Sequence, residues 1–165
     1  MAPLRLNTAV ALVALCTGLG ADASAADSAC PVTRPNDQGY VRPHHIELRH
    51  GNEWLATSLS PFDGKVTFRP GGAGCMDEKG ALWIKWPWWR KVRGRLTIET
   101  ARFGGGGQEL KGRVLPYYGE TGFQPSGVGF PGPGCWQVTA HVAEGSLSFV
   151  TLVDTVGNGP PPCKE

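Results

Sequence analysis

Four tryptophans, Trp83, Trp86, Trp88 and Trp89, fall within seven residues of one another. Exposed indoles stack on sugar rings and bases, and aromatic side chains with arginine dominate binding hot spots. If the segment is a strand, alternation sends Trp83 to the face opposite Trp86, so the four cannot share one core. Pro87 removes a ladder donor beside Trp88 and Trp89, which points to a strand edge or a loop there. The favoured reading makes Trp86 and one of Trp88 and Trp89 close the end of a core. The alternative is a ligand surface over Trp83–Arg95, with Trp83, Trp88 and Trp89 as candidate platform residues and Arg90, Arg93 and Arg95 as candidate contacts for acidic groups. The charge distribution is compatible with either. Between Lys85 and Arg113 eight basic residues face only Glu99 and Glu109. Such a stretch can bind an anionic glycan, a lipid headgroup or nucleic acid, or it can simply keep outward strand positions soluble and guard a sheet edge.

Other residues capable of chemistry carry less. His44, His45 and His50 cluster before the first apolar alternation, and a histidine trio can hold a transition metal. No cysteine or carboxylate stands at ligand spacing from them, so they read as solvated loop histidines and no metal is expected. The Gly104–Gly107 run has no phosphate-cradle pattern and reads as a hairpin loop. No GxSxG, HExxH or cysteine–histidine nucleophile pattern is present. A pair such as Glu53 and Asp63 can be drawn in any β protein. The chain is therefore read as a non-enzyme with no cofactor.

Around these residues the chain reads as one small exported domain. It has 165 residues, sixteen Lys+Arg, fourteen Asp+Glu and a net charge of +2. Its 24 glycines and 14 prolines make up about 23% of the chain, just under the range that suggests low complexity. Six Trp, six Phe and three Tyr argue against disorder. Residues 1–25 combine Arg5, an apolar stretch over 9–19 and an Ala-rich cleavage region, and read as a secretory signal peptide cut after Ala25. The apolar stretch is too short to cross a bilayer, and no transmembrane segment is expected after cleavage. Export makes nucleic acid the least fitting partner.

The elements that must position the candidate residues are short strands. Residues 26–52 read as an extended N-terminal arm, 53–156 as the folded domain and 157–165 as a Pro-rich tail. Within 53–156, apolar residues alternate in short runs broken by Gly, Pro and Asp clusters, as in Leu82-Ile84-Trp86, Leu96-Ile98 and Trp136-Val138-Ala140-Val142. No window holds a 3.6-residue period. Seven or eight short strands in an antiparallel sandwich follow, and the final two, joined near Gly145, form the clearest hairpin.

Loss of Cys16 with the signal leaves Cys30, Cys75, Cys135 and Cys163. Four cysteines in an exported domain imply two disulfides, with three possible connectivities. Cys135 shares the parity of Gln137, opposite to Trp136 and Val138, and so faces outward where it could catch the arm. That favours Cys30–Cys135 with Cys75–Cys163, although a bulge near Pro133-Gly134 would shift the parity.

Several segments resemble a family of uncharacterised secreted bacterial proteins. They are Cys30-Pro31-Val32-Thr33, Trp88-Trp89-Arg90, Gly94–Ile98, Gly122–Gly127, and Phe130-Pro131 through Gly134-Cys135-Trp136-Gln137-Val138-Thr139 to Val150. Together they span about half of the mature chain. The resemblance implies an immunoglobulin-like sandwich and supports pairing Cys30 with Cys135. The chain departs from it at Ala101-Arg102-Phe103 and the glycine run that follows, and Cys75 and Cys163 look like additions. No activity comes with the resemblance. The expected function is that of a secreted or periplasmic, monomeric, non-catalytic protein-interaction or envelope-structural module. A carbohydrate-binding module for envelope polysaccharide is the alternative, and a small secreted hydrolase the third.

Overall fold

The computed structural model describes residues 30–39, 49–59 and 64–164. Residues 1–25, read from the sequence as a signal peptide, together with His44, His45 and residues 60–63, lie outside the described residues. The described residues form eleven strands: β1 (His50–Gly51), β2 (Leu55–Thr57), β3 (Lys65–Phe68), β4 (Cys75–Met76), β5 (Leu82–Arg90), β6 (Thr97–Arg102), β7 (Leu110–Lys111), β8 (Arg113–Val114), β9 (Gly122–Phe130), β10 (Gly134–Val142) and β11 (Gly145–Thr155). No helix occurs among them. One sheet has the order β1-β2-β5-β9-β8 with β4 also on β5, and the other runs β3-β11-β10-β6-β7. The central orders β2-β5-β9-β8 and β11-β10-β6-β7 match the A-B-E-D and G-F-C-C′ arrangements of an immunoglobulin-like sandwich. The strand count exceeds seven or eight because four elements are only two residues long.

These short pieces mark where the chain changes sheets. β7 pairs with β6, whereas β8, one residue later, pairs with β9 in the opposite sheet. Gly112 makes the crossing. A side chain there would meet Ile98 Cβ at 2.8 Å and the Gly127 carbonyl oxygen at 3.1 Å, so only glycine lets the edge pass so close. On the other edge β2 belongs to the first sheet, while β3 pairs in parallel with β11 in the second.

The alternation read from the sequence is the alternation of burial. In β10, Trp136, Val138, Ala140 and Val142 face the core, and β11 answers with Leu147, Phe149, Thr151 and Val153. Their register runs unbroken from Gly134↔Val153 to Val142↔Gly145, so no bulge shifts the parity of Cys135. Both disulfides have the favoured connectivity, Cys30–Cys135 and Cys75–Cys163. Neither crosses the core between the sheets. The first ties the arm to β10, and the second ties the tail to β4, where Met76 N–H donates to Pro161 O and Cys163 N–H to Met76 O.

The arm is held by backbone mimicry. Thr33 N–H donates to Val150 O, and Val150 N–H to Thr33 Oγ1. Asn36 bonds both the N–H and the carbonyl of Gly51, standing in for a neighbouring strand beside β1. The structure corrects the expectation of a solvated loop for His50. It lies in β1, pairs with Thr57, packs edge-on against Phe149 and is buried.

Candidate functional site

β5 decides the fate of the tryptophans. Pro87 does not end the strand, contrary to the expectation of an edge or loop; β5 continues through it, with Pro87 opposite Pro125 of β9. A residue's N–H and C=O lie on the same side of a strand. The Pro87 carbonyl accepts from Thr57 Oγ1, so its missing donor also faces β2, which ends at Thr57 in register with Trp88. No ladder bond is lost where no partner strand remains. Alternation therefore carries on, and Leu82, Ile84, Trp86, Trp88 and Arg90 share the inward parity.

Trp86 and Trp88 both sit in the core, and Trp88 has no exposed surface at all. Trp86 stacks on Phe149 at 5.2 Å between ring centroids, and Trp88 lies 6.1 Å from the same ring. Each indole N–H has a buried hydroxyl acceptor: Trp86 Nε1 donates to Thr57 Oγ1 at 2.9 Å and Trp88 Nε1 to Ser126 Oγ at 3.0 Å. Those hydroxyls donate in turn to the Pro87 and Trp86 carbonyls, so every polar atom of the cluster is satisfied.

The outward positions of β5 are Trp83, Lys85, Pro87 and Trp89. Trp83 is covered. The Arg113 guanidinium lies over its ring at 3.9 Å, and its N–H donates to Asp77 Oδ2 at 2.7 Å. That hydrogen bond, foremost, holds the Asp77 carboxyl below its ordinary range, helped by N–H donors of Ala81 and Lys79 and by Arg113. Trp89 is half-buried. Trp88 and Trp89 thus point to opposite faces and do not form one platform.

The arginine candidates do converge. Arg90 is only 4% exposed. It donates through Nη1 to Gly94 O at 2.7 Å and through Nη2 to the Tyr118 and Gly119 carbonyls at 2.8 Å. One guanidinium thereby fastens the β5–β6 connection to the β8–β9 connection. Burial lowers its pKa, but arginine remains charged at any ordinary pH. Among the described residues it has no carboxylate partner, and its Nε has no acceptor. Gly94 has φ +149° and approaches Ala143 in the β10–β11 turn, where a side chain would meet Ala143 N at 3.0 Å. Three connections therefore meet at one end of the sandwich.

Between the first two lies a cleft of about 600 Å³ whose polar lining includes Arg90, Arg93, Arg95, Glu120 and Gln124. Leu96, Val114, Leu115 and Pro116 supply apolar surface. Arg93 pairs with Glu120 at 3.3 Å, both in solvent. Arg95 is exposed and has no acidic partner among the described residues. Gln124 Nε2 donates to Leu115 O at 2.9 Å and anchors the start of the second wall. Beside the cleft, Tyr117 and Tyr118 of the same wall and Phe123 at the start of β9 are exposed, as is Leu115 at its rim, with Tyr118 edge-on to Phe123 at 6.4 Å. Tyr117 is 90% exposed.

The structure thus brings Arg90, Arg93 and Arg95 together at the cleft, whose lining includes none of Trp83, Trp88 and Trp89. Sequence reasoning passed over Tyr117 and Tyr118. A signal was present: Pro116-Tyr117-Tyr118-Gly119 places two adjacent aromatics between turn residues, outside any alternation, where no core face can take both. No protein-family model, curated protein or solved structure matches the chain. No helix among the described residues is long and apolar enough to cross a membrane.

Proposed function

We propose that the chain is an exported bacterial binding module, non-catalytic, which engages a partner protein through the loop end of its sandwich. The N-terminal sequence and the two disulfides support export to an oxidising compartment. The observation that carries the binding reading is Tyr117, 90% exposed beside Leu115, Tyr118 and Phe123 and next to the arginine-lined cleft. Tyrosine and arginine are the residue types that protein interfaces concentrate at their energetic centres. The β5–β6 and β10–β11 connections correspond to the B–C and F–G loops, which immunoglobulin variable domains use for binding. The cleft's charges are three guanidiniums and one carboxylate already held by Arg93, a set suited to holding an anion rather than to moving a proton.

The test is photo-crosslinking in the producing bacterium, with a benzophenone amino acid at position 117 and, in parallel, at position 85 on the outer face of the first sheet. The reading predicts a discrete adduct of one size from position 117 and none from position 85. No adduct from 117, or the same adducts from both positions, would sink it.

A further inference from the structure

The cleft carries an electrostatic asymmetry that the fold itself does not resolve. Buried charges in proteins are paired or coordinate an ion. Arg90 is 4% exposed and, among the described residues, is compensated only by three backbone carbonyls. Arg93 and Arg95 lie on the loop that follows it, in solvent, and among the described residues the sole carboxylate lining the cleft is Glu120. The three cations and one anion leave the site two charges positive. Arg90 also fixes both walls, so the exposed arginines are presented from a braced frame. Guanidinium forks match the two oxygens of a carboxylate, and Glu120 on Arg93 already displays that contact from within the chain. The apolar surface of Val114, Leu115 and Pro116 runs alongside the charge and suits an apolar side chain.

We infer that this cleft binds an acidic peptide segment, with a carboxylate on Arg95 and Arg93 and an adjacent apolar side chain against Leu115 and Val114. The inference deepens the binding reading above and rests on it for the identity of the partner as a protein. In the bound state the peptide carboxylate takes Arg95 and competes with Glu120 for Arg93. Arg90 acts by positioning the two walls and by its charge, not by direct contact, since its donors are used by Gly94, Tyr118 and Gly119 or enclosed.

The probe is a blocked pentapeptide of four glutamates around a central phenylalanine, titrated into the oxidised protein at physiological salt and followed by amide chemical shifts. Its glutamine counterpart and inorganic phosphate are titrated in parallel. Saturable shifts at 93–96 and 114–120 with the glutamate peptide, and none with the glutamine peptide, are expected. Arg93→Gln/Arg95→Gln should weaken binding about tenfold or more, the scale of losing one charge-assisted contact. Lys65→Gln/Lys85→Gln, which removes the same charge elsewhere on the surface, should change it less than about twofold. Equal losses in the two double variants, equal binding of the glutamine peptide, or tighter binding of phosphate than of peptide would overturn the inference. The crosslink at position 117 separates the two proposals. Adducts undiminished in Arg93→Gln/Arg95→Gln would keep the interaction surface and overturn the carboxylate site. Peptide binding without any adduct would keep the carboxylate site and overturn the partner reading.

Discussion

Two places in this molecule set arginine, an aromatic ring and a carboxylate side by side, and they behave differently. On the outer face of the first sheet, Arg113 covers Trp83 while Asp77 holds the indole N–H and sits 4.0 Å from Arg113. Each group there answers another, and Trp83 keeps little surface. At the loop end, Arg95 has no acidic partner among the described residues, Arg93 and Glu120 meet in full solvent, and Tyr117 projects outward. Composition alone does not distinguish the two. What distinguishes them is whether the fold has already supplied the partners. The first arrangement is closed within the fold, and the second is not closed by the described residues.

The comparison breaks first at the core tryptophans, if it is to break. Trp88→Ala removes a fully buried indole and its bond to Ser126, and should cost about 3–5 kcal/mol in a urea melt. A loss below about 1 kcal/mol would mean that the cluster is not core. Arg90→Met should cost about 1.5–3 kcal/mol, because it leaves the Gly94, Tyr118 and Gly119 carbonyls without their donor. The amide exchange of 115–121 should speed up with it, since the two walls lose their shared brace. Unchanged exchange would show that Arg90 does not hold the loops. Arg113→Gln, by contrast, loses only a partly exposed cation–π contact and a long ion pair, and about 0.5–1 kcal/mol is expected in the same melt. Tyr117→Ala should leave stability within about 0.5 kcal/mol of the parent, as for any surface residue that packs on nothing. A larger loss would place Tyr117 in the fold and remove it from the open surface.

The edge strand β1 adds a pH dependence that touches neither region. Burial lowers the His50 pKa below its ordinary value, against the opposing effect of the Ser148 and Arg34 backbone hydrogen bonds. In the window between the folded pKa and the ordinary one, the unfolded chain binds more protons. Stability should therefore fall as pH drops from the ordinary histidine pKa towards the folded one, and His50→Gln should flatten that part of the profile. A parent profile without this slope would place His50 in solvent.

Much of the framework was legible because burial and alternation coincide. The β10–β11 hairpin, the sandwich class and both disulfides follow from period-2 runs and from the parity of Cys135 relative to Trp136. The favoured reading of the tryptophans, with Trp86 and one of Trp88 and Trp89 in the core, agrees with the burial of Trp86 and Trp88, and only the expected edge or loop at Pro87 differs. A proline in a strand pattern signals a break, but the missing donor of Pro87 faces a side where β2 has already ended, so parity continues and puts Trp88 inward with Trp86. The basic residues 90–95 were visible as charge. Their meeting with 115–121 was not, because the pairing of β5 with β9 and the carbonyls that Arg90 reaches some 28 residues away along the chain create it. That contact is a property of topology, which no local pattern encodes.

The account stands on the tryptophans being structure and the loop end being surface. Iodide quenching of tryptophan fluorescence, compared among the oxidised parent, Trp88→Phe and Trp89→Phe, tests this most directly. The account predicts that quenching comes from a minor accessible component, reduced in Trp89→Phe and unchanged in Trp88→Phe. A strongly quenched component that disappears in Trp88→Phe would contradict it, because Trp88 would then face solvent and the indole cluster, not the loop end, would be the open surface.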